Sequence, residues 1–393
     1  MFVATASRPL ATTITGSLPR PAWYAQNLGA RPFLAAYNGD AMFREQYVDA
    51  IAASISDQSR AGLDIVSDGE MRFDADIGGR SWFGYLFDRM EGLEANVGAP
   101  SRELGTPRAG FRARASQPGD ILAEFVQTLR PPQVVAPVHA GNLQYDAVWK
   151  VAQKMTDKPV KFGSCCGQMI ERQSRNVYYK DRRDAVFAFS DALNQEYHRL
   201  ADAGCQVIQV EEPCLHGSQG AQQDVPFEVY VEAFNREVKG LRAKTEVWCH
   251  TCWGNPFAQR LSNRPSYAPT AHWLAQLDVD VITIEAADNG GADIEAVAKV
   301  LGKDKKLCIG VLSHRELQVE LPEDIAALIR KGLEHVEPDR LLLSSDCGFG
   351  RQGMSRTHAY YKMIAMVRGA NIVKRELSLP ETEFPAGEAK YAL

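Results

Sequence analysis

The sequence predicts an α/β fold of the TIM-type (β/α)8 barrel kind, on three observations. Eight short apolar runs recur along the chain, each is hydrophobic on both faces, and amphipathic helical patterns lie between them. Parallel strands covered by helices are buried on both sides and so read as continuous apolar runs. Regular alternation of such strands with helices is the pattern of a parallel α/β sheet closed into a barrel. An open doubly wound sheet is the competing layout, but it calls for a Gly-rich phosphate loop after the first strand, and the sequence has none there.

In order, the runs are 12–17 (TTITGS), 63–69 (LDIVSDG), 159–165 (PVKFGSC), 205–212 (CQVIQVEE), 245–250 (TEVWCH), 280–285 (DVITIE), 306–312 (KLCIGVL) and 340–346 (RLLLSSD). Between them, Arg183–Ala203 carries Val186, Phe189, Leu193, Tyr197 and Leu200 at helical spacings of three and four. The joins RAGLDIV (60–66) and DAGCQVI (202–208) each place a glycine where a helix ends and a strand follows at once.

The stretch from the second to the third run is too long for a single helix. It contains WFGYLF (82–87), the Arg-, Gly- and Pro-containing segment 98–120 and a ninth strand-like run, QVVAPV (133–138). Residues 71–138 are therefore expected to be a long insertion after the second strand, lying over the barrel mouth. Residues 376–393 read as a C-terminal arm, and 1–393 as one domain.

Of the 393 residues 45% are hydrophobic and 24% charged, and the net charge is −5, with no dense basic stripe. That argues against nucleic acid as a partner. No apolar stretch approaches the roughly 20 residues that span a bilayer, and the first residues lack the order of a signal peptide. The expectation is a cytoplasmic protein. Its eight cysteines then need a reading other than disulfides. Cys205 and Cys308 lie within apolar runs and read as small buried hydrophobes. Cys249, Cys252 and Cys347 sit at strand ends. Cys165 and Cys166 form a neighbouring pair with no role assigned from the sequence.

The chemistry concentrates at strand ends. In WCHTCWG, His250 and Cys252 stand two apart, so in extended chain they point to one face while Cys249 and Thr251 point away. Glu285 closes the next run in VITIEAAD, and Cys347 follows the last in LLLSSDCGFG. Strand ends meet at one face of a barrel. Two thiolates, an imidazole and a carboxylate there make a soft zinc site suited to activating a thiol. The plainer alternative is two unrelated buried cysteines beside a hydrogen-bonded His and an ion-paired Glu. Ser17, Glu70 and Glu211 end the first, second and fourth runs; together they could hold the ammonium of a small amino acid, and singly each reads as a helix cap or surface ion pair.

The motifs ITGSLPRP, SDGE, MTDKPVKFG, IQVEEP, the His-x-Cys pair, DVITIE and SDCGFGRQG, in that order over most of 12–368, resemble the catalytic half of cobalamin-independent methionine synthase. The resemblance implies a TIM-type barrel with zinc held by His250, Cys252, Cys347 and Glu285. It also implies homocysteine gripped by Ser17, Glu70 and Glu211, although the family usually has Asp at the last. The chain departs from that pattern in lacking the family's N-terminal half. It also has Cys165-Cys166-Gly167 in place of Thr-Gly-Pro, lacks the pterin-stacking tryptophan, and carries His314 one position earlier than the family's acid. Single-barrel relatives include short methionine synthases and proteins similar to epoxyalkane:coenzyme M transferase.

The expected function is zinc-dependent alkyl transfer to a thiol, foremost methylation of homocysteine. His314 is a speculative acid or partner of the metal ligands. The alkyl donor is unknown and could be a methyl-carrying protein. Transfer to another thiol such as coenzyme M is the alternative, and a zinc barrel that binds thiols without turnover is a third reading.

Overall fold

Seven parallel strands line up in chain order in the main sheet: β1 (Val66–Ser67), β2 (Val160–Cys165), β3 (Val207–Glu211), β4 (Glu246–Thr251), β5 (Val281–Ile284), β6 (Lys306–Leu312) and β7 (Leu341–Ser345). The computed structural model describes residues 2–24, 37–72, 74–76, 79–94, 119, 121, 131–217, 225–255, 258–260, 265–350 and 353–388. The two edges of the sheet curl toward one segment. Thr12 bridges Leu343 of β7, Thr13 N donates to Leu343 O at 2.9 Å, and on the other side Asp64 N and Ile65 N donate to Thr12 O at 3.0 and 3.1 Å. This curled parallel sheet is consistent with a TIM-type barrel, with the first apolar run entering as a bridge rather than a strand.

Inside the curl the side chains are layered, because alternate residues of each strand point inward. The floor is apolar, with Ile65, Val207, Trp248, Val281, Cys308 and Leu342 in one buried cluster that also takes in Ala4 and Ala11. The amino-terminal segment seals it from below. Val3 N and Thr5 N both donate to Glu246 Oε1, at 2.5 and 2.7 Å, and Lys306 Nζ donates to Thr5 O at 2.9 Å. The next layer is polar: Lys161 Nζ donates to Gln209 Oε1 at 2.7 Å while lying 4.9 Å above the Trp248 ring. Glu211, His250 and Glu285 come above that, at the C-terminal ends of β3, β4 and beyond β5.

Outside, the larger core fills the space between strands and helices. Helix α1 (Ala41–Ala61) starts at Asp40, whose side chain accepts from Phe43 N at 3.0 Å, and α2 (Arg182–Asp202) starts at Asp181, which accepts from Arg183 N at 2.9 Å. These caps satisfy amide groups that a helix start leaves without partners. The expected helix 183–203 is thus found one residue earlier, with Val186, Phe189, Leu193, Tyr197 and Leu200 all buried.

QVVAPV belongs to a separate sheet. Gln133–His139 pairs antiparallel with Glu91–Glu94 and parallel with Arg175–Asn176. Asp74–Asp76 and Gly79–Ser81 form a short hairpin. Most of 95–130 lies outside the described residues, so the insertion expected over 71–138 is seen only at its two ends. At the other terminus, Asn371 and Lys374 hold Thr382 by hydrogen bonds of 2.7–2.8 Å, which returns the chain along the helix Arg356–Glu376 (α3). No helix among the described residues is long and apolar enough to cross a membrane.

Candidate metal centre

Register decides which residues meet. Glu211 of β3 pairs with His250 of β4, and His250 pairs with Thr283 of β5, so Glu211 and His250 stand side by side on the inner face. Cys252 follows His250 on the same face, and Cys347 follows the end of β7. One ligand atom from each of His250, Cys252 and Cys347 lies within 4.8 Å of the others, and all three residues are buried. Two donors about 2.0–2.3 Å from a common zinc ion stand at most roughly 4.6 Å apart, so a trio gathered within 4.8 Å is close to the spacing that one ion needs.

The imidazole is oriented from behind. Its Nδ1 is hydrogen-bonded to the Glu211 carboxylate, whose other oxygen accepts from Gln209 Nε2 at 2.6 Å. A carboxylate on one ring nitrogen fixes the tautomer and leaves the other as a metal donor. That other nitrogen, Nε2, lies 3.0 Å from the carbonyl of Asp346, the residue before Cys347. Burial opposes charge on His250, but Glu211 outweighs it and holds the imidazolium up to about 9 in the metal-free protein. A hydrogen bond from Cys252 draws Cys347 down to about 7 against its burial, with His250 assisting, while Cys252 is pushed well up by the same bond.

Glu285 is buried beside this trio but turned to other partners. It accepts from Trp253 N at 3.0 Å and from Arg315 at 2.8 Å, and Arg315 also pairs with Asp288 and donates to Gly254 O at 2.9 Å. Glu285, His314 and Asp346 form a second group within 4.8 Å. Asp346 accepts from the backbone of Ala286, Ala287 and Asp288 at 2.8–3.0 Å, which pins the loop after Glu285 against the residue preceding Cys347. Neither Arg315 nor Asp346 was singled out from the sequence. Arg315 stands next to His314 in LSHREL and Asp346 next to Cys347, so adjacency was the available signal.

The three residues expected to hold an amino acid surround the same strand ends. Ser17 is buried, its Oγ has no partner among the described residues, and Gly350 N donates to its carbonyl at 2.9 Å. Leu18 N bonds Gly69 O at 3.1 Å, which brings Ser17 beside Glu70. Glu70 adopts a left-handed backbone with φ 53° and turns its carboxylate over Gly163, where a Cβ would meet Oε1 at 2.7 Å. A non-glycine residue held in that region carries strain of about 1 kcal/mol or more, the kind that collects at functional sites. Glu211 is engaged by His250 and Gln209 rather than turned to a free space. Beneath both carboxylates, burial lowers the Lys161 ammonium to about 8, against the pull of Glu211 and Glu70.

Comparison with known proteins supplies a context for this geometry. A family model described as the catalytic domain of cobalamin-independent synthase matches residues 109–371. A methionine synthase of Saccharolobus islandicus (strain Y.G.57.14 / Yellowstone #1) is 31% identical over 370 residues, covering 94% of this chain and 96% of its own. One from Thermococcus kodakarensis is 30% identical over 376 residues, covering 94% and 95%. Among solved structures, a B12-independent methionine synthase from Shewanella sp. W3-18-1, in complex with selenomethionine, is similar with a TM-score of 0.72 at 23% identity, covering 94% of this chain and 99% of that one. A methyltransferase from Methanosarcina mazei has a TM-score of 0.54 at 14% identity, covering 94% and 96%.

Proposed function

Because the chain belongs to the family of cobalamin-independent methionine synthase catalytic domains, we propose that it methylates the sulfur of homocysteine to give methionine. The observation that carries this reading is the buried trio His250, Cys252 and Cys347, gathered within 4.8 Å. Its donor types fit zinc, and Glu285 would be the fourth ligand. Bound there, zinc would supply the Lewis acidity that makes a substrate thiol a thiolate near neutral pH.

The rest is the work of this chain's own residues. Glu211 orients His250. Arg315 gives Glu285 a resting partner at 2.8 Å, so the carboxylate can leave a ligand position without becoming an unpaired buried charge. Ser17 and Glu70 take the ammonium end of the amino acid, with Glu211 near enough to add negative charge. The substrate thiol gives up its proton to solvent, and its sulfur forms the new bond to the methyl carbon. The bond from methyl to carrier breaks, and the carrier leaves with that electron pair. His314, grouped with Glu285 and Asp346, is the acid assigned to the carrier. The methyl group arrives on a second molecule, small or protein-borne. The reading takes residues 1–393 as one cytoplasmic (β/α)8 domain, with 71–138 an insertion and 376–393 an arm.

Coenzyme M fits less well. Its sulfonate calls for a cation, yet Arg72 is buried, bound to Asp68 at 3.0 Å and to Gly163 O at 2.5 Å, and Arg20 lies 4.9 Å over Tyr24. Zinc-edge X-ray absorption with each thiol tests the reading. An added sulfur neighbour with homocysteine supports it; the change with coenzyme M alone, or with neither, overturns it.

A further inference from the structure

Behind β2 and β3, next to the strand that carries His250, lies a second trio. Cys166 follows β2 and Glu212 follows β3; both have the parity opposite to Cys165 and Glu211, which pair with each other in the sheet. They therefore face outward, toward the helices. Cys214 is two residues further on, at the start of the short helix Cys214–Gly217. One ligand atom from each of Cys166, Glu212 and Cys214 lies within 4.8 Å of the others, and all three residues are buried. The spacing is as close to what one ion needs as that of the first trio.

The surroundings supply acceptors and little positive charge. The Glu237 carboxylate is fully buried beside Cys166: Gly167 N donates to its Oε2 at 2.7 Å, and its Oε1 has no partner among the described residues. Gln168 Oε1 is a second buried oxygen without a partner there. Two thiols and two buried carboxylates face one cation, the half-buried Arg172 beside Cys214. Such a group must either take up several protons or hold a cation. A dication bound to two thiolates and a carboxylate, with Arg172 near, leaves little net charge.

We propose that Cys166, Glu212 and Cys214 hold a second divalent metal ion of the zinc class, in a structural site on the helix side of the sheet. Two thiolates select a soft ion over magnesium or calcium. Glu212 is already fixed for the role, since Cys214 N and Leu215 N donate to its two oxygens at 3.0 Å and Gln168 donates as well. The two centres are one peptide apart: Glu212 N donates to the carbonyl of His250 at 2.7 Å.

Metal content of the purified, desalted wild-type protein should be two zinc equivalents per chain. A Cys252→Ser, Cys347→Ser double variant should keep one, whose X-ray absorption shows two sulfur neighbours; cobalt substituted into that variant should show thiolate-to-metal absorption. In Cys214→Ser the loss should fall on this second equivalent alone, with the homocysteine-induced change at the first kept. A single equivalent in the wild type, a retained ion without sulfur neighbours in the double variant, or a Cys166–Cys214 disulfide in the protein as isolated would overturn the proposal. Failure of the thiol-binding reading would instead remove the response to homocysteine and leave the two-equivalent count intact.

Discussion

Two clusters of thiol and carboxylate stand at the C-terminal ends of the strands, the inner at β4, β5 and β7 and the outer behind β2 and β3, and they differ in what grips the acid. On the inner side Glu285 is held by one backbone amide and by the flexible Arg315 side chain. On the outer side Glu212 is held by two consecutive backbone amides and Gln168. A side-chain partner can follow a moving carboxylate, whereas backbone amides cannot. The inner cluster also has an imidazole oriented by Glu211 and, beside it, the unfilled hydroxyl of Ser17. The comparison teaches that donor identity does not separate a reactive centre from a structural one. Exchangeability of one ligand does.

The largest expected effect comes from removing an inner ligand. Cys347→Ser should abolish methionine formation together with the inner metal, checked by parallel activity and metal analysis; activity in protein lacking that metal would break the comparison at its root. Glu211→Gln should lower inner metal affinity by about 10–100-fold, read by competition with a chelator, and leave the outer ion untouched. Arg315→Met should destabilise the metal-free protein by about 3 kcal/mol, because the buried Glu285 loses its cation while Asp288 keeps Arg260. The deficit should shrink once zinc takes Glu285, and equal thermal shifts with and without zinc would show that Glu285 does not exchange partners. Glu212→Gln should cost about 1–2 kcal/mol in denaturant unfolding without altering thiol binding inside.

A pH dependence also sets the two sides apart. Lys161, under the inner carboxylates, has its pKa lowered to about 8 by burial, against about 10.4 in the unfolded chain. Between those values the unfolded chain binds more protons, so stability should rise with pH from about 8 to 10.4. Lys161→Met should remove that rise. Arg172 on the outer side keeps its charge and should contribute no slope.

Much of this was legible in the sequence because strand parity is a simple rule. His250 and Cys252, two apart, had to share a face, and Glu285 and Cys347 had to end strands; His250, Cys252 and Cys347 meet accordingly, while Glu285 falls in the adjoining group with His314 and Asp346. The same rule applied to Cys165-Cys166 and Glu211-Glu212 separates each pair onto opposite faces, yet the outer cluster also needs Cys214, which lies past a proline on a turn where parity no longer holds. Arg315 was not legible, since a long side chain can reach many acids and nothing local names which. The first run read as a strand on its β-branched Thr and Ile residues, but it pairs only as a bridge at Thr12 and leaves extension at Gly16 (φ 70°), while the second run leaves it at Gly69 (φ 68°) and Glu70 (φ 53°) after a β1 of only Val66–Ser67. The insertion expected over 71–138 rested on length alone, and most of 95–130 lies outside the described residues.

The seating of the amino-terminal segment between distant strands has a consequence for synthesis. Thr15 bonds Ser345 across 330 positions, and Val3 waits for Glu246. At ribosomal speeds of about 5–20 residues per second, the first-made segment is without its last-made partner for roughly 15–65 s. Until β7 emerges, the Thr12 segment lacks its partner at Leu343 and the apolar floor lacks Leu342, so both stay uncovered on the ribosome, where a chaperone has its longest opportunity to bind.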